Sequence, residues 1–191
     1  QDGLGGTNWG EELSKFDLIG FSSMTVDSDW TKKIIRAIRA KNPSAYIVWG
    51  GIHPIMDPDD AVSSCADAVC TGEGEFAFDS FLERFRAGQD FTDAKNFWFK
   101  GPDGRITKNA FLPLMTSEEV TRLPLLHYGK DELIYKGRSR EYRALGVRDY
   151  VAYNGLGYNT IWSIGCPFKC TYCGNTKFIA NDKGYSRLRH P

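Results

Sequence analysis

Short apolar runs alternate with amphipathic stretches through the first half of the chain. Asp17-Leu18-Ile19-Gly20-Phe21-Ser22 is a compact apolar run, the pattern of a buried parallel strand. A helix is expected next, capped by Ser28 or Asp29. Trp30, Ile34, Ile35 and Ile38 fall at helical spacing, and Lys32, Lys33, Arg36 and Arg39 lie mostly opposite. Asn42-Pro43-Ser44 stops it. Ala45-Tyr46-Ile47-Val48-Trp49 reads as the second strand, ended by Gly50-Gly51. Asp57 then caps a short helix with Pro58 in its first position, running to about Cys65. Ala68-Val69-Cys70-Thr71 is the third strand. A further helix carries Phe78, Phe81, Leu82 and Phe85 on one face and stops near Gly88, where glycine suits the left-handed position after a helix.

This β-α-β-α-β-α order predicts a parallel sheet with right-handed crossovers. Ligands of such sheets bind beyond the carboxyl ends of the strands. Three loops fall there: Ser22-Ser23-Met24-Thr25, Gly50-Gly51-Ile52-His53-Pro54 and Thr71-Gly72-Glu73-Gly74-Glu75. Glycines at such turns allow close backbone approach to a ligand. Phe97 to Lys108 reads as a hairpin around a Pro102-Asp103-Gly104 turn. Residues 110–157 read as irregular, and their charged stretch from Lys130 to Arg148 as solvated surface.

Composition narrows the function classes. The chain has 191 residues, with 24 basic and 24 acidic side chains, so charge gives no argument for nucleic acid or an anionic membrane. No apolar run approaches the roughly 20 residues that span a bilayer. Gln1-Asp2-Gly3-Leu4 has neither the basic nor the apolar region of a signal peptide. Five cysteines, three of them clustered, favour a reducing cytoplasm in which thiolates serve a metal. Twenty glycines and 14% aromatic residues fit a folded α/β enzyme.

The clustered cysteines carry the chemistry. Thr160-Ile161-Trp162-Ser163-Ile164-Gly165 leads into Cys166-Pro167-Phe168-Lys169-Cys170-Thr171-Tyr172-Cys173. A 4Fe–4S cluster has an iron for each of four ligands. Three thiolates from one tight loop leave one iron open to a small molecule. Structural zinc, the competing reading, normally shows paired Cys-x-x-Cys knuckles or a His-x-x-x-His partner, and neither is present. Cys65 and Cys70 have no metal-like spacing and read as small buried apolar residues. Glu73 and Glu75 suit a helix N-terminus or a backbone contact to ligand better than acid–base catalysis.

The Cys166, Cys170, Cys173 spacing, with the aromatic Tyr172 before the third cysteine, resembles the radical S-adenosylmethionine (SAM) enzymes. The resemblance implies that these cysteines hold a 4Fe–4S cluster, that its open iron chelates SAM, and that Tyr172 lies beside the adenine. In that family the cluster cleaves SAM to methionine and a 5′-deoxyadenosyl radical. The upstream loops resemble the cobalamin-binding domain joined to many such enzymes. Ser22-x-Met24 stands for its Ser-x-Leu element, followed by the Gly50-Gly51 pair and the Gly72-Glu73-Gly74-Glu75 stretch. The family's Asp-x-His-x-x-Gly cobalt-ligand stretch has no counterpart, and would belong after a strand upstream of residue 1. His53 reads as a turn residue or hydrogen-bond partner rather than a cobalt ligand, in a loop expected to face the ligand.

The resemblance therefore implies an α/β fold: a parallel-sheet, Rossmann-like cobalamin-binding domain over 1–90, a hairpin and irregular linker over 91–157, and the start of a radical SAM (β/α) barrel over 158–191. The chain reads as a fragment of a longer protein. The implied cofactors are a 4Fe–4S cluster, SAM and cobalamin. The implied partners are a small-molecule or natural-product substrate and a reductant such as flavodoxin or ferredoxin. The implied reaction is methyl transfer to an unactivated carbon. A radical SAM oxidative cyclase or ring-forming enzyme, a non-catalytic corrinoid-binding module, and a radical SAM enzyme whose first domain has lost cobalamin are the alternatives.

Overall fold

The structure, a computed structural model, describes residues 9–124, 131–136, 139, 141–155 and 163–190. Thr160, Ile161 and Trp162, in the apolar run before the cysteines, lie outside these residues, as does the N-terminal Gln1–Leu4 stretch.

A short helix, α1 (Trp9–Leu13), precedes strand β1 (Leu18–Ser22), helix α2 (Ser28–Lys41) and strand β2 (Tyr46–Gly50). Helices α3 (Ile52–Met56) and α4 (Pro58–Ser64) lead to β3 (Ala68–Cys70), and α5 (Glu75–Arg86) follows. Strands β1, β2 and β3 are parallel, with Ile19 opposite Ile47 and Val48 opposite Ala68. This is the α/β class that the alternating pattern predicts. The hairpin β4 (Phe97–Lys100) and β5 (Ile106–Lys108) continues the same sheet, antiparallel, in the order β1-β2-β3-β4-β5. Alternation explains this placement. Phe97 and Phe99 are buried on one face of β4, beside Phe81 of α5, while Trp98 packs toward the opposite core. The turn closes through Gly104 N–H donating to Gly101 O at 2.9 Å.

Two cores flank the sheet. On one face Ile35 and Ile38 of α2 and Val62 of α4 meet Ile47, Trp49 and Val69. On the other, Ala77 and Phe81 of α5 meet Val48, Phe97 and Phe99. The Phe81 and Phe97 ring centroids lie 5.3 Å apart.

Local details depart from the pattern. The buried stripe of α2 is Thr31, Ile35 and Ile38; Trp30 is half exposed, with Lys33 Nζ 5.1 Å from its ring. The N-cap position is Asp27, one residue before the expected Ser28 or Asp29, and no side chain caps it. Phe78 is also partly exposed, because Ala77 and Phe81 take the buried face of α5. Helix α4 follows expectation: the Asp57 carboxylate accepts from Asp60 N–H at 3.1 Å, and Pro58 sits in the first turn.

The region read as irregular carries more structure than its composition suggested. Helix α6 (Ser117–Arg122) opens with a reciprocal capping box between Thr116 and Glu119. Strands β6 (Leu133–Lys136) and β7 (Glu141–Ala144) pair antiparallel beside α7 (Val147–Asn154). Asp149 is buried and ion-paired with Lys136 at 2.9 Å and Arg143 at 2.5 Å. Those hydrogen bonds, Arg143 foremost, hold its carboxyl well below the usual carboxylate range. Part of the charged stretch is thus a paired network rather than solvated surface. After the cysteines, α8 (Asn175–Asn181) and a 3₁₀ turn, Lys183–Ser186, lead to a bridge between Arg189 and Ile164.

Candidate functional site: a cleft at the strand ends

The carboxyl ends of β1, β2 and β3 open into a cavity of about 610 Å³. Gly20, Phe21 and Ser22 of β1 line it, with Gly50, Gly51 and Ile52 after β2 and Gly72, Glu73 and Gly74 after β3. Three separately read motifs therefore converge, as the topology of a parallel sheet requires.

Gly51 makes the convergence possible. Its φ is +87°, and a Cβ there would lie 2.7 Å from Ser23 N and 2.8 Å from Ser22 Oγ. Only glycine lets the β2 turn approach the β1 turn so closely. Gly20 contributes differently: a Cβ built there meets nothing within 4 Å, so the glycine leaves room in the cleft wall. The cleft is predominantly apolar with few polar groups, the usual makeup of a site for a large organic cofactor.

Glu75 of the third loop also lines the cleft, while Ser23, Met24, Thr25 and His53 lie outside the lining. Ser23 supports the floor: its N–H donates to Gly50 O at 3.3 Å and its Oγ accepts from Trp49 Nε1 at 2.9 Å. Met24 is exposed, and Thr25 begins a 3₁₀ turn, Thr25–Asp27. His53 belongs to α3, which the sequence reading did not anticipate. It is buried, with its ring 4.9 Å from Trp49 and Nε2 2.9 Å from Asp60 Oδ2. It is a hydrogen-bond partner behind the cleft and does not face it. Lys32 also binds the Asp60 carboxylate, and its hydrogen bond is the foremost cause holding that carboxyl below its ordinary range.

Sequence reasoning missed several residues. Asn96, at φ 64°, is buried beneath the third loop; its Nδ2 donates to Glu73 O at 2.7 Å and its Oδ1 accepts from Leu112 N–H at 2.6 Å. Asparagine tolerates the left-handed conformation better than most residues, which was the available signal. Cys70 also lines the cleft, and burial pushes its thiol up to about 11. Met115, Ile164, Phe178 and Tyr185 close the cleft from far along the chain, and nothing local marks them. Burial foremost, and then the Glu73 charge, pushes the Tyr185 phenol upward. Glu75 sits in the first turn of α5, as a helix-terminal carboxylate should.

Ile164, Phe178 and Tyr185 also line a neighbouring cavity of about 110 Å³ that includes Cys166. The cysteine loop thus adjoins the cleft through a shared wall. Cys166, Cys170 and Cys173 are half-buried free thiols. Cys173 N–H donates to Cys170 O at 3.1 Å, and Cys166 N–H to Tyr185 O at 2.9 Å. Among the described residues no three His, Cys, Asp or Glu side chains are gathered as a metal group. The donor set, three thiols on one loop, still has the chemistry that an iron–sulfur cluster takes. Tyr172 is almost fully exposed.

Comparison with known proteins agrees with this geometry. Residues 11–82 match the B12 binding domain family. An uncharacterized methyltransferase of Pyrococcus horikoshii is 26% identical over 183 residues, covering 91% of this chain and 35% of the relative. The anaerobic magnesium-protoporphyrin IX monomethyl ester cyclase of Synechocystis is 23% identical over 176 residues, covering 91% of this chain and 30% of the relative. The chain spans about a third of the length of the curated relatives it matches. Two structures of the radical SAM methyltransferase TsrM from Kitasatospora setae share the fold. One holds cobalamin and a 4Fe–4S cluster: TM-score 0.67, 17% identity, 96% of this chain and 35% of that chain. The other holds tryptophan substrate and a SAM analogue: TM-score 0.68, 18% identity, 96% and 34%. Among the described residues no helix is long and apolar enough to cross a membrane. Residues 11–82 thus match a B12 binding domain, and the chain shares the fold of a cobalamin-binding radical SAM methyltransferase.

Proposed function

We propose that this chain supplies the cobalamin cleft and the cluster loop of a cobalamin-dependent radical SAM methyltransferase. The observation that carries this reading is the shared wall: Ile164, Phe178 and Tyr185 border both the cleft and the cavity beside Cys166. Two cofactors acting on one substrate must be held close and in fixed orientation. When bound, the cluster supplies the electron that cleaves SAM to a 5′-deoxyadenosyl radical, and cobalamin supplies the methyl group.

The chain's own residues bind and orient. Gly20, Gly50, Gly51, Gly72 and Gly74 present a backbone floor at the strand ends, supported from behind by Ser23, His53 and Asn96. Phe21, Ile55, Phe78 and Met115 keep water from its walls. Cys166, Cys170 and Cys173 would supply the thiolate ligands of the cluster, and the exposed Tyr172 would contact the adenine of SAM. The acceptor is a small molecule, and a flavodoxin- or ferredoxin-type protein in the cytoplasm delivers the electron. Similarity to the magnesium-protoporphyrin cyclase supports a second reading, an oxidative ring closure on the same two cofactors.

The test is anaerobic purification of the full-length protein with hydroxocobalamin, followed by desalting and absorption spectroscopy. Stoichiometric cobalamin with a cluster band is expected. Cys170→Ala should remove the cluster band and leave cobalamin bound. Cobalamin without any cluster in the wild type would favour a non-catalytic corrinoid carrier. A cluster without cobalamin would overturn the methyltransferase reading.

A further inference from the structure

A buried ion pair joins the two halves of the site. Glu73 lies in the third cleft loop, and its side chain is 14% exposed; that of Arg189, beyond the cysteines, is 10% exposed. Arg189 Nη2 lies 2.5 Å from Glu73 Oε1. The same two side chains grip the backbone of Met115 from both sides. Met115 N–H donates to Glu73 Oε2 at 2.8 Å, and Arg189 Nη1 donates to Met115 O at 2.9 Å. The guanidinium also sits 5.5 Å from the Tyr185 ring.

From Arg189 the connection runs directly to the thiols. Its backbone exchanges two hydrogen bonds with Ile164, at 2.8 and 2.9 Å. Gly165, at φ +109°, lies so close to Arg187 that a Cβ would fall 2.2 Å from Arg187 O. Cys166 follows, its N–H held by Tyr185 O. At the other end Asn96 anchors the Glu73 carbonyl, fixing the cleft loop. A continuous chain of contacts therefore leads from the cleft floor through Glu73, Arg189 and Ile164 to Cys166.

Stability alone is a poor explanation for such a pair. A buried ion pair is often no more stabilising than apolar side chains of the same volume, and Arg189 Nε is buried with no acceptor among the described residues. A charged pair does specify one mutual placement, because any other leaves a buried charge uncompensated.

We propose that the Glu73–Arg189 pair is a latch that couples the cysteine loop to the cobalamin cleft, so that filling one site tightens the other. This rests on the two-cofactor reading above. Glu73 and Arg189 are positioning residues here: Arg189 acts on the cofactors only through Ile164, Tyr185 and the cleft loop.

Coupled sites obey reciprocity, so cobalamin affinity must depend on whether the cluster is present. The experiment measures the hydroxocobalamin Kd of the full-length protein, anaerobically, with and without a reconstituted cluster. The cluster-loaded wild type should bind about five- to tenfold more tightly than the cluster-free protein. In Arg189→Met the two Kd values should become equal, and Arg189→Lys should restore part of the ratio. Where Arg189→Met fails to fold, Glu73→Gln with Arg189→Met replaces it, since removing both charges leaves none uncompensated. A variant that keeps the wild-type ratio overturns the latch, whatever its melting temperature. Equal values in the wild type overturn it too, while leaving the two-cofactor reading intact. A wild type that binds cluster or cobalamin alone overturns that reading and the latch with it.

Discussion

The sheet domain and the cysteine loop are built on opposite principles. Around the sheet, Trp49, Phe81 and Phe97 are fully buried, and each strand has a hydrophobic face to hide. Around the cysteines, α8 buries none of its residues, while Phe168 is 69% and Tyr172 91% exposed. The first region is held by apolar area removed from water. The second is held by a few backbone hydrogen bonds and the Arg189 contacts. A domain that presents a preformed cleft needs a rigid core, whereas under the proposed reading the loop takes part of its order from the cluster it would hold.

The sharpest way to break the contrast is to remove one large ring from each region. Phe81→Ala should destabilise the full-length protein's sheet domain by about 3–5 kcal/mol, read by chemical denaturation followed by tryptophan fluorescence. Phe168→Ala should change it by no more than about 0.5 kcal/mol. Comparable losses would mean that the cysteine loop is part of the same core.

Gly51→Val tests the cleft with the core left alone. Forcing a β-branched residue to φ +87° against the Ser23 backbone should cost about 1–3 kcal/mol in the same denaturation assay. It should also reduce hydroxocobalamin retention after desalting. Unchanged retention would remove the Gly50-Gly51 turn from the binding site.

The smallest effect separates the thiols. Burial favours the protonated Cys70 thiol and raises it to about 11 in the folded chain from an ordinary value of 9.0. Its contribution to stability is therefore complete below about pH 9, and is lost as pH rises toward 11. In a pH series of denaturation curves, Cys70→Ala should lack this alkaline component. At pH 8, iodoacetamide should label the three loop cysteines of cluster-free protein well before Cys70. Equal labelling would contradict the burial of Cys70.

Much of the fold was legible because period and punctuation are local. The apolar runs of β1 to β3, the Asp57-Pro58 helix start and the Gly88 stop each lie within a few residues of what they specify. Even there, the buried face of α2 differs from the one its spacing predicts, with Thr31 inside and Trp30 half exposed. Trp30 and Thr31 are neighbours, and which one turns inward depends on the sheet beneath. Of the two roles the sequence offers His53, turn residue or hydrogen-bond partner, it takes the second, and its direction away from the cleft follows from α3, a helix set by the Gly51 turn.

The sequence by itself determined the chemistry available: three thiols in one loop, glycines after two of the strands, and alternating elements that build the parallel part of the sheet. Residue type and spacing are written along the chain, and so is any property that depends on them alone. Only the tertiary structure decided which distant residues share a wall. Asn96 beneath the third loop, Met115 between Glu73 and Arg189, and Tyr185 against the cleft carry no local mark. Their roles arise from long-range packing and from the requirement that a buried charge find its partner, wherever the chain has brought it.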